Sequence, residues 1–243
     1  MRILRKVAMK LMRQYYSSDE MLEALRKGGA IIGEDVKVYA PNKARIDATA
    51  PFLLKIGDHV RISENVTILT HDYSWSVLKR HIPREGGVGA VLGAQSPVTI
   101  GSHVFIGMNA TIMRGVTIED DVVIGASSVV VKDCESGWVY AGNPARKICS
   151  IEDYYIKRRE KQYAEAKMVA KYYYERFGKT PPKEILHEYF MLFCTSEQAR
   201  QVPEFHKKMK LMGNYDDTVK YMDHLPPMFS SYEDFLKEAL FSE

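Results

Sequence analysis

Aliphatic residues in the middle of this chain return every six positions. Ile32, Val38, Ile56, Ile62 and Ile68 form a first series, with Ala44 and Ala50 filling the steps between Val38 and Ile56. Ile100, Ile106, Ile112, Ile118, Ile124 and Val130 form a second, unbroken one. A small or β-branched residue often sits four places later, at Val36, Val60, Val66, Val104, Ala110, Val116, Val122 and Ser128. A period of six matches neither a helix nor simple strand alternation. It predicts a solenoid in which each flat face uses one hexapeptide and three hexapeptides close a triangular coil. The aliphatic side chains stack inside, and each coil buries its neighbour's face. Glycine follows the aliphatic residue at Gly33, Gly57, Gly101, Gly107 and Gly125, where the corners are expected to need its conformational freedom.

The flanks carry a different pattern. Residues 2–16 place Ile3, Val7, Leu11 and Tyr15 on one helical face and Arg2, Arg5, Lys6 and Arg13 on the other. Such a basic amphipathic helix suits either the protein's own core or an anionic membrane surface, and packing on the core is the expected role. A second short helix is predicted over 19–27, with Asp19 as its cap and Gly28 and Gly29 as its stop. Beyond residue 150 the hexapeptide period is lost. Helices are expected at 152–177, 183–194, 203–212, 216–223 and 231–241, the last behind a capping box of Ser230 and Glu233. The domains are therefore read as an N-terminal helical segment (1–27), a solenoid (28–149) and an α-helical C-terminal domain (150–243).

The phase of six breaks between Ile68 and Ile100, so a loop leaves the solenoid at about residues 71–97. It holds His71, Tyr73, Trp75, Lys79, Arg80, His81 and Arg84. A long excursion from a rigid scaffold that carries aromatic and charged residues reads as functional.

Composition narrows the classes. With 34 Lys+Arg against 31 Asp+Glu, the net charge of +3 does not describe a dedicated nucleic-acid binder. Three scattered cysteines, Cys134, Cys149 and Cys194, exclude a disulfide scaffold and fit a reducing compartment. No stretch has the composition of a bilayer span. Lys and Arg interrupt every apolar run at the N-terminus, so the expected location is the cytoplasm.

The hexapeptide array, a histidine at the start of the excursion, and the closing segment Ala141-Gly142-Asn143-Pro144-Ala145-Arg146 resemble the left-handed β-helix acyltransferases. Within that group the chain is most similar to the maltose/galactoside and capsular-polysaccharide O-acetyltransferases. The resemblance covers roughly residues 28–149. It implies a mainly β fold, a left-handed parallel β-helix with helical additions at both ends, and a homotrimer with sites between solenoids. It also implies acetyl-CoA as acyl donor with no metal. His71 matches the catalytic position. Phe105, Met108, Ala126, Val131, Lys132 and Arg146 match positions that contact the donor, and Asp47 falls near a substrate-contact region. The sequence departs from the pattern at Cys149, where a second basic residue often stands, and in its long C-terminal extension.

The chemistry fits these residues. Acetyl transfer to a hydroxyl needs one group that takes a proton near neutral pH, and histidine is suited to it. His71 is the expected base, with His81 second. Asp72, Glu85 and Asp47 are open as the carboxylate that orients it. Tyr73 and Trp75 offer flat rings to a sugar acceptor. His59, His103, His187, His206 and His224 are read as surface or structural residues. Three rivals remain: an N-acetyltransferase acting on a nucleotide-linked amino sugar, a zinc enzyme on the same scaffold, and a non-catalytic scaffold. The zinc enzyme would pair histidines five residues apart, and Met108 stands where a partner of His103 would be.

Overall fold

A computed structural model describes residues 17–81 and 86–242, and its contacts divide the chain into two units, the first ending at Tyr154. The basic amphipathic segment at 2–16, and with it Arg84 and Glu85, lies outside the described residues.

The first unit opens with helix α1 (Ser18–Lys27). Its cap is Ser17, whose side chain accepts from the Glu20 N–H, and not Asp19, which sits in the first turn. Met21, Leu22 and Leu25 bury against Val36 and Val38 in one core. Ser18 accepts the Val38 N–H at 3.0 Å, so the helix covers an edge that would otherwise be open.

Four coils follow. Each has three short strands: β1 (Ile31–Ile32), β2 (Lys37–Val38) and β3 (Arg45–Ile46), then β4 (Leu54–Ile56), β5 (Arg61–Ile62) and β6 (Thr67–Ile68). After the excursion come β7 (Val98–Ile100), β8 (Phe105–Ile106) and β9 (Thr111–Ile112), then β10 (Thr117–Ile118), β11 (Val123–Ile124) and β12 (Val129–Val130). They pair in parallel as three sheets: β1-β4-β7-β10, β2-β5-β8-β11 and β3-β6-β9-β12. The second sheet is extended by the antiparallel pair β13 (Trp138–Gly142) and β14 (Ala145–Ser150), joined across a cis Asn143–Pro144 bond.

The register is that of three ladders. Ile32, Ile56, Ile100 and Ile118 stand level, as do Val38, Ile62, Ile106, Ile124 and Tyr140, and Ile46, Ile68, Ile112 and Val130. The smaller positions from Val36 to Ser128 are buried beside them. Two expectations are corrected here. Ile46, not Ala44, joins the third ladder, because a tight turn with Lys43 and Ala44 both donating to Ala40 takes up extra residues after Val38. Ala50 instead precedes a 3-10 turn at Pro51–Leu53.

The second correction concerns glycine. Two columns of left-handed corners are occupied by Asp35, His59, His103 and Asp121 and by Asn65, Asn109 and Ser127, with φ between 48° and 60°, and Gly115 turns a third corner with φ 80°. The repeat glycines are needed for close approach. A Cβ on Gly57 would lie 2.7 Å from the backbone of Gly101, and one on Gly101 would lie 2.7 Å from that of Glu119.

The second unit is helical. Helix α3 (Ile151–Phe177) begins in the first unit and runs on into it. Helices α4 (Ser196–Arg200), α5 (Pro203–Met209), α6 (Tyr215–His224) and α7 (Tyr232–Phe241) follow; α2 (Trp75–Leu78) lies in the excursion. The helix expected at 183–194 is replaced by 3-10 turns at Lys183–Leu186 and Phe190–Leu192. Phe190, Leu192, Phe193 and Cys194 are all buried, which one face of an α-helix cannot achieve. The expected 203–212 helix stops at Met209, and α4 was not anticipated. The last cap is Ser231 over Asp234, one residue beyond the expected box. No helix among the described residues is long and apolar enough to cross a membrane.

Candidate active site

Strands β3 and β6 are neighbours, so the segments leaving them emerge side by side. Asp47 follows Ile46, and its N–H still donates to the Ile68 carbonyl at 3.0 Å. Thr70 and His71 follow the other strand. The two arms of the excursion pair where they leave the coil. His71 bridges Gln95, the Asp72 N–H donates to Ala94 O at 2.9 Å, and the Ser96 N–H to Thr70 O at 3.0 Å. This fixes the backbone around the histidine.

The Asp47 side chain is 3% exposed and the His71 side chain 22%. A buried carboxylate needs donors, and each oxygen has them. Oδ1 accepts from the Thr49 N–H at 2.9 Å and the Thr49 hydroxyl at 2.7 Å. Oδ2 accepts from the Thr70 N–H at 3.2 Å, the Thr70 hydroxyl at 2.6 Å and His71 Nδ1. Burial alone would raise the Asp47 pKa. The hydrogen bonds from Thr70, Thr49 and His71 outweigh it and hold the carboxyl well below the usual carboxylate range. An ionised carboxylate only accepts, so Nδ1 carries the proton of the neutral imidazole. Nε2 is left with its lone pair free.

The other candidate carboxylates do not share this role. Asp72 turns to Ser74, accepting from its N–H at 2.7 Å and its hydroxyl at 3.0 Å, with Arg114 Nε at 3.9 Å. Those Ser74 bonds, aided by Arg114, lower its pKa. Glu85 is outside the described residues. His81 is exposed, and its N–H closes a turn on Leu78. Tyr73 stands edge-on to His71 with ring centroids 5.0 Å apart, and Trp75 lies 6.1 Å beyond Tyr73 at the start of α2 (Trp75–Leu78).

The structure therefore brings Asp47, His71, Tyr73 and Trp75 together. Asp47, expected near an acceptor and also open as the carboxylate that orients the histidine, is buried and bonded to Thr49, Thr70 and His71. Thr49 and Thr70 were not anticipated. An Asp-x-Thr turn at 47–49 is a sequence signal for the first, since such side chains bond the backbone two residues on.

The expected donor residues lie on the prism's outer surface. Phe105, Met108 and Val131 are 41%, 48% and 45% exposed, and Ala126, Lys132 and Arg146 are exposed too. Met108 and Ala126 share one corner in successive coils, where the Ser127 N–H donates to Met108 O at 2.7 Å. Val131 and Lys132 follow β12 at the next corner. Arg146 on β14 donates to its neighbour Ala145 O at 2.9 Å.

The remaining histidines are used otherwise. His59 and His103 stack at 5.2 Å along the first column of corners, with Asp35 3.1 Å and Asp121 3.6 Å away. His187 and His206 belong to the helical unit, each with a buried Nδ1 that lacks a hydrogen-bond partner. A cavity of about 830 Å³ in that unit, lined by Tyr163, Met191, Leu192 and Met222 among others, contains no histidine–carboxylate pair. In the basic run 157–159, Arg158 forms a two-pronged pair with Glu165 at 2.8 and 2.6 Å. Among the described residues no group of three His, Cys, Asp or Glu side chains is placed to hold a metal ion.

A model of bacterial transferase hexapeptides (six repeats) matches residues 97–132, the third and fourth coils. Protein CapG of Staphylococcus aureus is 36% identical over 154 residues, which is 63% of this chain and 83% of CapG. The chain belongs to the hexapeptide-repeat acyltransferase family. The galactoside O-acetyltransferase of Escherichia coli (strain K12) is 37% identical over 110 residues, 44% of this chain, which spans only 50% of that enzyme. Among solved structures, a maltose O-acetyltransferase from Clostridium difficile 630 aligns with a TM-score of 0.40 at 27% identity, over 60% of this chain and 85% of that one.

Proposed function

We propose that this protein is an acetyl-CoA-dependent O-acetyltransferase that acylates a hydroxyl of a sugar or polysaccharide precursor, with His71 as general base. One observation carries the reading: His71 donates through Nδ1 to a buried, ionised Asp47, which leaves Nε2 free to take a proton. The named activity of the galactoside relative supports O-acetylation.

In this mechanism the acceptor hydroxyl gives its proton to Nε2 as its oxygen attacks the thioester carbonyl carbon. The imidazolium that forms is stabilised by Asp47. When the tetrahedral intermediate collapses, the C–S bond breaks and Nε2 returns the proton to the leaving thiolate. The products are an acetyl ester and free CoA. A thioester is already activated, so the chemistry calls for neither a covalent enzyme intermediate nor a metal ion.

Tyr73 and Trp75 form the acceptor's platform beside the base. Phe105, Met108, Ala126 and Val131 receive the apolar arm of acetyl-CoA, and Lys132 and Arg146 its phosphates. The coil is left-handed and the working form is a homotrimer, whose grooves bring the donor residues of one solenoid to the histidine of another. The protein works in the cytoplasm, with its domains divided near residues 27 and 149.

The test is an acceptor screen with acetyl-CoA and free-thiol detection. Thiol release dependent on a sugar hydroxyl, with an alkali-labile ester product, is expected. Release with amino sugars alone, giving a stable amide, would replace O- by N-acetylation. A relative named as a tetrahydropyridine dicarboxylate N-acetyltransferase, 41% identical over 73 residues, makes that arm necessary. No release with any acceptor would refute the proposal.

A further inference from the structure

Two threonine hydroxyls touch the carboxylate behind His71, and proton counting assigns each a direction. A threonine hydroxyl has one proton and two lone pairs. The Thr49 hydroxyl lies 2.7 Å from Asp47 Oδ1, which can only accept, so its proton is committed there. The same hydroxyl oxygen lies 3.3 Å from His71 Nδ1, and it faces that nitrogen with a lone pair. The Nδ1 proton is thus set between two acceptors, Asp47 Oδ2 and Thr49 Oγ1. Thr70 is fully buried, and its hydroxyl donates at 2.6 Å to Oδ2, the same oxygen that His71 uses. It draws charge from that oxygen in direct competition with the imidazole.

We propose that Thr49 and Thr70 are positioning residues that set the tautomer and proton affinity of His71, Thr70 through Asp47 and Thr49 through both Asp47 and its own contact with Nδ1. The proposal rests on the reading of His71 as the general base. Thr49 holds the proton on Nδ1 and so keeps Nε2 open. Thr70 limits how strongly the carboxylate stabilises the imidazolium. The other groups around the ring are Tyr73, edge-on at 5.0 Å, and Asp72, which is held by Ser74 with Arg114 nearby. Thr70 therefore reaches the ring through Asp47, and Thr49 through Asp47 and its own contact with Nδ1.

The experiment measures kcat/KM by thiol release from pH 5 to 9 for Thr49→Val, Thr49→Ser, Thr70→Val and Thr70→Ser, with thermal melts of each. Removing the Thr70 hydroxyl concentrates charge on Oδ2 and favours the imidazolium. The acid limb of the Thr70→Val profile therefore moves to higher pH. Activity at neutral pH falls about tenfold, the weight of one hydrogen bond to a charged group, and recovers as pH rises. Thr49→Val loses a donor to Oδ1 and a lone pair toward Nδ1, effects of opposite sign on the limb. Its limb moves less, and kcat falls at every pH with both KM values unchanged. Each serine variant keeps the hydroxyl and restores the wild-type profile, which separates the hydrogen bond from packing of the methyl group. A Thr70→Val profile with an unmoved acid limb, or serine variants as impaired as the valines, would overturn the proposal. His71→Ala run alongside distinguishes the failures. If it retains wild-type turnover, the base assignment falls and takes this proposal with it. If it is inactive while the threonine variants keep the wild-type profile, only the threonine assignment falls.

Discussion

The third ladder of the prism leads to two different places. In the later coils Ile112 and Val130 are followed by Met113-Arg114 and Val131-Lys132, and the chain turns the corner without burying a carboxylate there. In the earlier coils the level residues Ile46 and Ile68 are followed by Asp47 and by Thr70-His71. Backbone and register are alike in both. The difference lies in the side chains just past the ladder and in the excursion that opens there. The stacked coils supply a rigid floor of aliphatic ladders, and where the third ladder ends the chain buries the Asp47 carboxylate. The price is Asp47, a carboxylate that would be destabilising in the ladder itself and is tolerated because Thr49, Thr70 and His71 satisfy it.

That contrast makes the two regions separable. Asp47→Asn should keep the fold and lower kcat/KM by roughly 10², because an amide no longer stabilises the imidazolium formed in general base catalysis. Its stability signature has a defined sign. The Asp47 pKa is depressed in the folded state, so it contributes stability above the unfolded carboxylate value of about 3.9 and loses it as pH falls below that. The melting-temperature gap between wild type and Asp47→Asn should therefore narrow below about pH 4. A constant gap would place the effect elsewhere.

Ile106→Ala reverses the pattern. Ile106 is fully buried in the second ladder, and truncation should cost about 2–5 kcal/mol of stability while activity well below the melting point is retained. Gly57→Ala should destabilise by about 1–3 kcal/mol, because the added methyl meets the backbone of Gly101 and Ser102 in the next coil as well as the Ser102 hydroxyl, and the backbone cannot move aside as a side chain can. A neutral Gly57→Ala would mean that the coils stack less tightly than the ladder implies. The smallest effect is at Trp75. Trp75→Ala should raise acceptor KM about two- to tenfold, the worth of one aromatic contact, with donor affinity unchanged. Equal losses for both substrates would make Trp75 an anchor of the loop instead.

Much of the prism was legible because one rule repeats. Ile100 to Val130 each occupy the inward position that their period assigns, and the break after Ile68 marks where the excursion leaves. Between Val38 and Ile56 the period misleads, because two local turns shift the phase and alanine is small enough to suit either a core or a surface position. The repeat glycines sit where the period places them, but close packing and not turning is what requires them. Close approach between coils is a tertiary property, whereas positive φ at most corners is carried by Asp, His, Asn and Ser, with Gly115 at one. At the site, His71 was legible from its place at the mouth of the loop. The choice of Asp47 over Asp72 was not. The two carboxylates are separated by the pairing of β3 with β6, and Asp72's commitment to Ser74 appears only once the loop is folded. In the helical unit the length of α3 was clear from its uninterrupted helix formers. The run from Phe190 to Cys194 was not, because residues buried on all sides carry no period.

The central claim is that a single imidazole performs the proton transfer, and His71→Ala tests it most directly. Thiol release from acetyl-CoA with an accepted sugar should fall by about 10² to 10⁴, the range for loss of a general base, while the melting curve and the size of the assembly match wild type. Turnover near the wild-type rate in a folded His71→Ala protein would contradict the account.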